Sequence, residues 1–295
     1  VDIFLSITPT RDSILPPLSS RVVKYLIDSG SLFQDLRELS SSRDHYKPLF
    51  ISCLYDERGR RLYSIYHRRE VLSVRAGSRL TSRVSAYIPK DHLENIISFS
   101  DGIYSTPYGE FRVSLDRVEV IGDLRSLSID LSKGFRIVFI TPTLISPKIM
   151  IPPLRKIMDR YKSARVGYAT FPIPGLIYSY ALRLWNKVAP EDLRLTRPND
   201  RDNIYSYRIA VMGTALTEII DHRINVKTVI IGRDDKGRLR KSRGFVGYII
   251  LNTHHKSSRK AMEKALALAK HLGIGRGRGI GLGEVDITPK HPVLQ

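Results

Sequence analysis

One cysteine, Cys53, stands among 295 residues. The chain therefore cannot build an intrachain disulfide framework or an all-cysteine zinc site. Long apolar runs are missing as well: none reaches the ~18 residues of a membrane span, so no membrane partner is expected. The sequence opens directly in the strand-like "DIFLSITPT" (Asp2 to Thr10), without Met and without a charged-then-apolar leader. No signal peptide is read there, and with so little cysteine the expected location is a reducing cytoplasm. A phosphate loop of the Gly-x-x-x-x-Gly-Lys-Ser/Thr type is absent. Metal-ligand spacing is absent too. His254 and His255 are adjacent and point to opposite sides of a strand, while Asp234 and Asp235 sit in a turn among lysines and arginines. No His-x-x-x-His pair or comparable cluster appears, so neither a metal nor a cofactor is expected.

Negative charge is the scarcest bulk property. Asp plus Glu number 29 against 48 Lys plus Arg, a formal charge of +19. Such an excess points to a polyanionic partner, and nucleic acid is the common one. Asn and Gln are few beside the ion-forming residues, a composition that leans toward thermophiles.

Glycine, by contrast, is concentrated. In "KHLGIGRGRGIGLGEVDI" (Lys270 to Ile287) the glycines are Gly273, Gly275, Gly277, Gly279, Gly281 and Gly283. Their strict spacing of two fits no register of a dinucleotide fingerprint. The order of elements is also reversed. "SSRKAMEKALALAKHL" before the run has helical periodicity, Gly273 stands where a helix C-cap belongs, and "EVDI" after it reads as a strand. Residues without side chains let backbone N–H groups approach phosphates, with Arg276 and Arg278 projecting to pair with them. The competing reading is a loop that needs positive φ for its own packing.

The remaining pattern repeats. "DIFLSITPT", a helix over Ser19 to Ser40 broken near Gly30, "KPLFISCLYDERGRRLYSIYHR" as strand–turn–strand, a helix in "PKDHLENIISF" and the strand Glu110 to Gly122 give β-α-β-β-α-β. The second half returns to it. "FRIVFITPTLI" (Phe135 to Ile145) shares Ile-Thr-Pro-Thr with the first strand. Helices follow from Ile151 to about Ala189 and over "IYSYRIAVMGTALTEII". A hairpin of "VKTVIIG" and "GFVGYIIL" comes next, then the last helix and "EVDI". The expected fold is α+β, with two tandem ferredoxin-like (RRM-like) domains, residues 1–130 and 131–295, meeting near "LSIDLSKG". The hairpin turn "GRDDKGRLRKSRG" (Gly232 to Gly244) carries Arg238, Arg240, Lys241 and Arg243, placed to track RNA phosphates. Its plain alternative is an exposed charged turn.

Gly273-Ile-Gly275, five residues, then Gly281-Leu-Gly283 resembles the C-terminal glycine motif of the CRISPR-associated endoribonucleases, the Cas "six" family. "GFVGYIIL", "TPTLI" and "KPLFISCLY" are similar to that family as well, and the resemblance spans nearly the whole chain. It implies cleavage of CRISPR repeat RNA within a precursor transcript, without metal, to a 2′,3′-cyclic phosphate and a 5′-hydroxyl. Sister proteins that share the glycine motif bind RNA as non-cleaving subunits of a CRISPR effector complex, and this remains the alternative reading. The resemblance also allows a homodimer, for which aromatic "GLIYSYALRLW" would be a face, unless it is core.

In the family a histidine near the end of the first helix, a tyrosine within it and a later lysine share the chemistry. Here the histidine slot falls in "LSSSRD", which has none; His45 either substitutes or is a loop residue. Arg21, Lys24, Tyr25 and Asp28 fall at i, i+3, i+4 and i+7, one stripe of the first helix, and Lys47 opens the next strand. The expectation is that Lys24 and Lys47 clamp the scissile phosphate and one exchanges the proton. Arg21 stabilises charge and Tyr25 orients or donates. The same stripe also reads as a solvated basic face.

Overall fold

The computed structural model describes residues 1–295 except 69–70, 90–91, 162, 196–203 and 291–295, and not the side chain of residue 206. In chain order the strands and helices are β1 (Asp2–Pro9), β2 (Ser13–Ile14), α1 (Ser20–Asp28), α2 (Arg37–Ser41), β3 (Leu49–Ile51), β4 (Ser73–Val74), β5 (Leu80–Ala86), α3 (His92–Ile97), β6 (Gly102–Thr106) and β7 (Gly109–Glu119). The second half continues with β8 (Phe135–Thr143), α4 (Arg155–Tyr161), α5 (Pro174–Val188), α6 (Ile204–Ala215), β9 (Thr217–Arg233), β10 (Leu239–Thr253), α7 (Lys256–Leu272) and β11 (Val285–Pro289). Residues 120–134, which hold "LSIDLSKG", contain no helix or strand.

The first sheet runs β3-β5-β1-β7-β6 and is antiparallel throughout. With β6 set aside as an added edge hairpin, its order is fourth, first, third, second strand. That order with two crossing helices is the ferredoxin-like arrangement. The second sheet, β11-β8-β10-β9, has the same order. The tandem fold read from the sequence is therefore present.

Two element assignments differ from the sequence reading. The third strand of the first repeat is Leu80–Ala86, not the stretch after the Asp56–Gly59 turn, where Leu62–Ile65 makes only isolated bridges. The inward face of β5 alternates Leu80 and Val84 with Ser82, all buried, so its hydrophobic signal is faint. In the second repeat, the helix ends at Ala215, and "TEII" (Thr217 to Ile220) already belongs to β9, whose polar, exposed first half hides it from periodicity. The helix expected in "PKDHLENIISF" is α3; positions 90 and 91 of its lead-in lie outside the described residues.

Contacts divide the chain into two compact units that interleave in sequence. One comprises Val1–Ile121 with Lys227–Arg243 and Gly277–Leu282; the other comprises Gly122–Val226, Gly244–Arg276 and Gly283–Gln295. In the first unit, Ile3, Leu5 and Ile7 of β1 meet Val22, Val23, Leu26 and Ile27 of α1, all fully buried. Burial of each such side chain contributes ~1.5–3 kcal/mol, which fixes the face that α1 turns away from the sheet. In the second unit α5 is nearly all core. Trp185, Tyr178 and Tyr180 are buried, and Tyr180 Oη donates to the Gly275 carbonyl at 2.8 Å. The aromatics of "GLIYSYALRLW" are therefore packing residues of their own unit. No helix among the described residues is long and apolar enough to cross a membrane.

Candidate active site

Because α1 buries its apolar face, Arg21, Lys24, Tyr25 and Asp28 are left on the opposite stripe. Lys24 Nζ reaches forward one turn to the Asp28 carboxylate at 2.8 Å, the i,i+4 spacing of a helical ion pair. After α1 the chain reverses through Gly30 (φ 77°) and Phe33 (φ 46°). Left-handed backbone costs a non-glycine residue of order 1–3 kcal/mol. Phe33 offsets this by burying its ring, 5.4 Å from that of Phe99. The reversal returns α2 to α1, so that Ser40 Oγ donates to Asp28 Oδ1 at 2.5 Å. Lys24 Nζ donates to the Ser40 carbonyl at 3.2 Å and sits 2.9 Å from its hydroxyl.

Lys47 completes the group. Its Nζ donates to the same Ser40 carbonyl at 2.6 Å and to the Ser42 carbonyl at 3.2 Å. Two lysines thus share one acceptor. Lys47 is half-buried. Burial first, then the neighbouring charges of Lys24 and Arg278, lower its pKa to about 8, with Asp28 opposing. A neutral amine still has two N–H groups, and two carbonyls receive them. Losing the third proton therefore breaks neither hydrogen bond and leaves a lone pair.

Arg278 stands differently from the projecting side chain expected of it. It is 3% exposed, and its guanidinium donates to the carbonyls of Lys47 at 2.7 Å and His45 at 3.2 Å. Planar, fixed donors suit this clamping of a strand entrance. The glycines make it possible. Gly277 and Gly281, both at φ 83°, bracket the short turn Arg278–Ile280. A Cβ on Gly281 would collide with Cys53 and lie 3.0 Å from Ser20 Oγ; one on Gly279 would stand 3.4 Å from Lys47 Nζ. In the other unit Gly273 caps α7 at φ 75°. A Cβ on Gly275 would lie 2.7 Å from the Leu144 carbonyl, and one on Gly283 would meet the Ile274 carbonyl. Positive φ and close packing thus account for five of the six glycines. The exposed Arg276 is the arginine of the run that reaches solvent.

The other expected residues fall as follows. Arg21 is half-buried, and one guanidinium nitrogen is committed to the Ile231 carbonyl at 2.7 Å. Tyr25 is 40% exposed beside Lys24. His45 is exposed, and its carbonyl takes part through Arg278. On the basic hairpin Arg238 pairs with Asp234 at 2.8 Å, Lys241 Nζ lies 3.8 Å from the Tyr66 ring centroid, and Arg240 and Arg243 are exposed. Ser40 and Ser42 were missed by sequence reasoning. Toward Lys47 they act through backbone carbonyls, which no residue type reports. The described residues hold no group of three or more His, Cys, Asp or Glu placed to bind a metal ion.

The comparisons with known proteins agree on one family. Residues 1–121 match the Cas6 N-terminal domain model, and residues 137–285 match that of the CRISPR-associated endoribonuclease Cas6. The chain is 34% identical over 287 residues to the CRISPR-associated endoribonuclease Cas6 1 of Saccharolobus solfataricus, covering 96% of this chain and 94% of that one. The chain belongs to the Cas6 family. A second relative from that organism, Cas6 2, is 34% identical over 285 residues, covering 95% of this chain and 93% of the relative. Among solved structures, a Cas6 product complex matches with TM-score 0.61 at 15% identity over 97% of this chain and 100% of that one. Thermus thermophilus Cas6 matches with TM-score 0.58 at 14% identity over 97% of both. At such identities these two similarities speak for the fold, and Cas6 membership rests on the family models and the S. solfataricus relatives.

Proposed function

We propose that this Cas6 chain cuts CRISPR repeat RNA with the substrate's own 2′-hydroxyl as nucleophile, and that Lys47 and Lys24 carry the proton transfers. The observation that supports this most is the sharing of the Ser40 carbonyl by two lysines, one of them with its pKa lowered to about 8. Neutral Lys47 takes the proton from the 2′-oxygen as that oxygen forms its bond to phosphorus. The bond from phosphorus to the 5′-oxygen breaks, and the Lys24 ammonium supplies the proton to the departing oxygen. The products are a 2′,3′-cyclic phosphate and a 5′-hydroxyl. Lys24, paired with Asp28, also offsets the charge that grows on the phosphoryl oxygens. Arg278 holds Lys47 in place. Tyr25 borders the phosphate and orients it, and Arg276 with the hairpin residues Arg240, Lys241 and Arg243 supplies phosphate contacts along the RNA.

A metal ion has no assigned step, because nucleophile, base and acid are all supplied by the RNA and the two lysines. Labelled repeat RNA incubated with the protein in excess EDTA tests the scheme. The expected result is one cut ending in a cyclic phosphate, lost when the ribose at the cut is replaced by deoxyribose. Continued scission of the deoxy substrate refutes it. The reading as a non-cleaving subunit is less well supported, since both curated relatives are named endoribonucleases.

A further inference from the structure

Six arginines of the first unit line two cavities whose walls include neither Lys24 nor Lys47. The two cavities, of about 350 and 330 Å³, share Arg60, Leu62, Ser73 and Val74 as walls and are treated together as one trough. Arg58, Arg75 and Arg79 line the first, and Arg61 and Arg68 the second; Asp56 and Glu57 are the acidic lining residues. Asp56 is spent internally, accepting from the backbone N–H groups of Arg58 and Arg60 at 3.1 and 2.9 Å and from Arg60 Nε at 3.2 Å. Arg60 and Arg79 remain 77% and 65% exposed, although Arg79 directs one terminal nitrogen to Asp116 at 3.4 Å and its Nε to Ser6 Oγ at 3.3 Å. The floor is apolar and aromatic, built from Leu62, Tyr63, Ile65 and Leu72, and Arg61 stacks 4.7 Å above the Tyr55 ring nearby. Guanidinium donors over such a floor suit a flexible chain of phosphates and bases better than a small apolar ligand.

The floor segment is also joined to the elements already assigned to RNA. The Leu62 carbonyl accepts from Ser19, the residue before α1, at 2.5 Å from its hydroxyl. Tyr66 N–H donates to the Thr228 carbonyl at 2.8 Å, and Ile65 bridges Val229, both at the root of the basic hairpin within the same unit.

We infer that the trough lined by Arg58, Arg60, Arg61, Arg68, Arg75 and Arg79 is a second RNA site, holding the single-stranded flank of the repeat away from the cut. This rests on the ribonuclease reading above for the identity of the RNA. The test uses the full chain and the triple variant Arg58→Gln, Arg60→Gln, Arg75→Gln, with thermal unfolding run alongside. All three side chains are exposed. Two probes are compared, full-length repeat RNA with deoxyribose at the cut and the same RNA trimmed to the nucleotides around the cut. With the full-length probe the variant binds more weakly, and the slope of log K against log salt flattens by about 2, since each lost single-strand contact is worth ~0.7. With the trimmed probe the two proteins bind alike, and their single-turnover rates on cleavable full-length RNA at saturation agree. An unchanged slope, or an equal loss with both probes, overturns the trough. Should the wild-type chain fail to cut any repeat RNA, the ribonuclease reading falls, while the two binding arms still decide the trough.

Discussion

Lys47 offers the sharpest test of the chemistry. Its pKa of about 8 leaves about a tenth of the amine neutral at pH 7. A lysine at the ordinary ~10.4 would be neutral roughly two to three hundredfold less often. If neutral Lys47 is the base, the single-turnover rate rises about tenfold per unit below pH 8 and levels above it. The assay is cleavage of labelled repeat RNA at saturating protein, in EDTA and at constant ionic strength, from about pH 6 to about pH 9, a range that brackets the midpoint. Lys47→Ala is expected to lower the plateau by ~10²–10⁴, the usual worth of a positioned base, with RNA affinity changed little. In Arg278→Lys the guanidinium clamp is lost but a cation is kept, so the rate falls while the midpoint stays near 8. In Arg278→Met the midpoint moves upward, because a neighbouring positive charge is gone. A flat profile below pH 8, or an unmoved midpoint in Arg278→Met, refutes the assignment of Lys47 as base.

Other outcomes follow from the same contacts. Lys24→Ala removes the donor for the departing oxygen and should slow cleavage by ~10²-fold or more with binding retained, read by single-turnover kinetics beside filter binding. The lowered pKa of Lys47 means that the unfolded chain binds more protons between about pH 8 and about pH 10.5. Wild-type stability should therefore rise relative to Lys47→Met across that window, seen as converging or crossing urea midpoints. Gly281→Ala puts a Cβ at φ 83° against Cys53 and should cost at least ~1–2 kcal/mol in urea unfolding. Replacing Arg240, Lys241 and Arg243 together by Gln should flatten the salt dependence of RNA binding by about 2, measured by titration at several salt concentrations.

Much of the fold is written in local pattern. β1 and β8 both carry alternating apolar residues and the shared Ile-Thr-Pro-Thr, and α7 ends on a glycine at φ 75°. What escaped were strands whose inward or outward faces carry the wrong polarity, serine inside β5 and charged residues along the first half of β9. The stripe of α1 brought Lys24 and Asp28 together as its spacing required. The partner of Lys47 was harder. Arg278 lies 231 positions away and donates to a backbone carbonyl, and no side-chain pattern announces such a contact. The interleaved arginines of the glycine run suggested two equal phosphate contacts, yet one is exposed and the other buried, a difference set by the turn between Gly277 and Gly281.

The interleaving of the two units has a consequence for synthesis. The first 121 residues contain both lysines, yet the piece that donates to the Lys47 carbonyl leaves the ribosome only with Gly277–Leu282. A nascent chain can therefore shape its first sheet long before Arg278 can reach the Lys47 carbonyl. On the chemistry proposed above, cleavage has to wait until that late segment has emerged and docked.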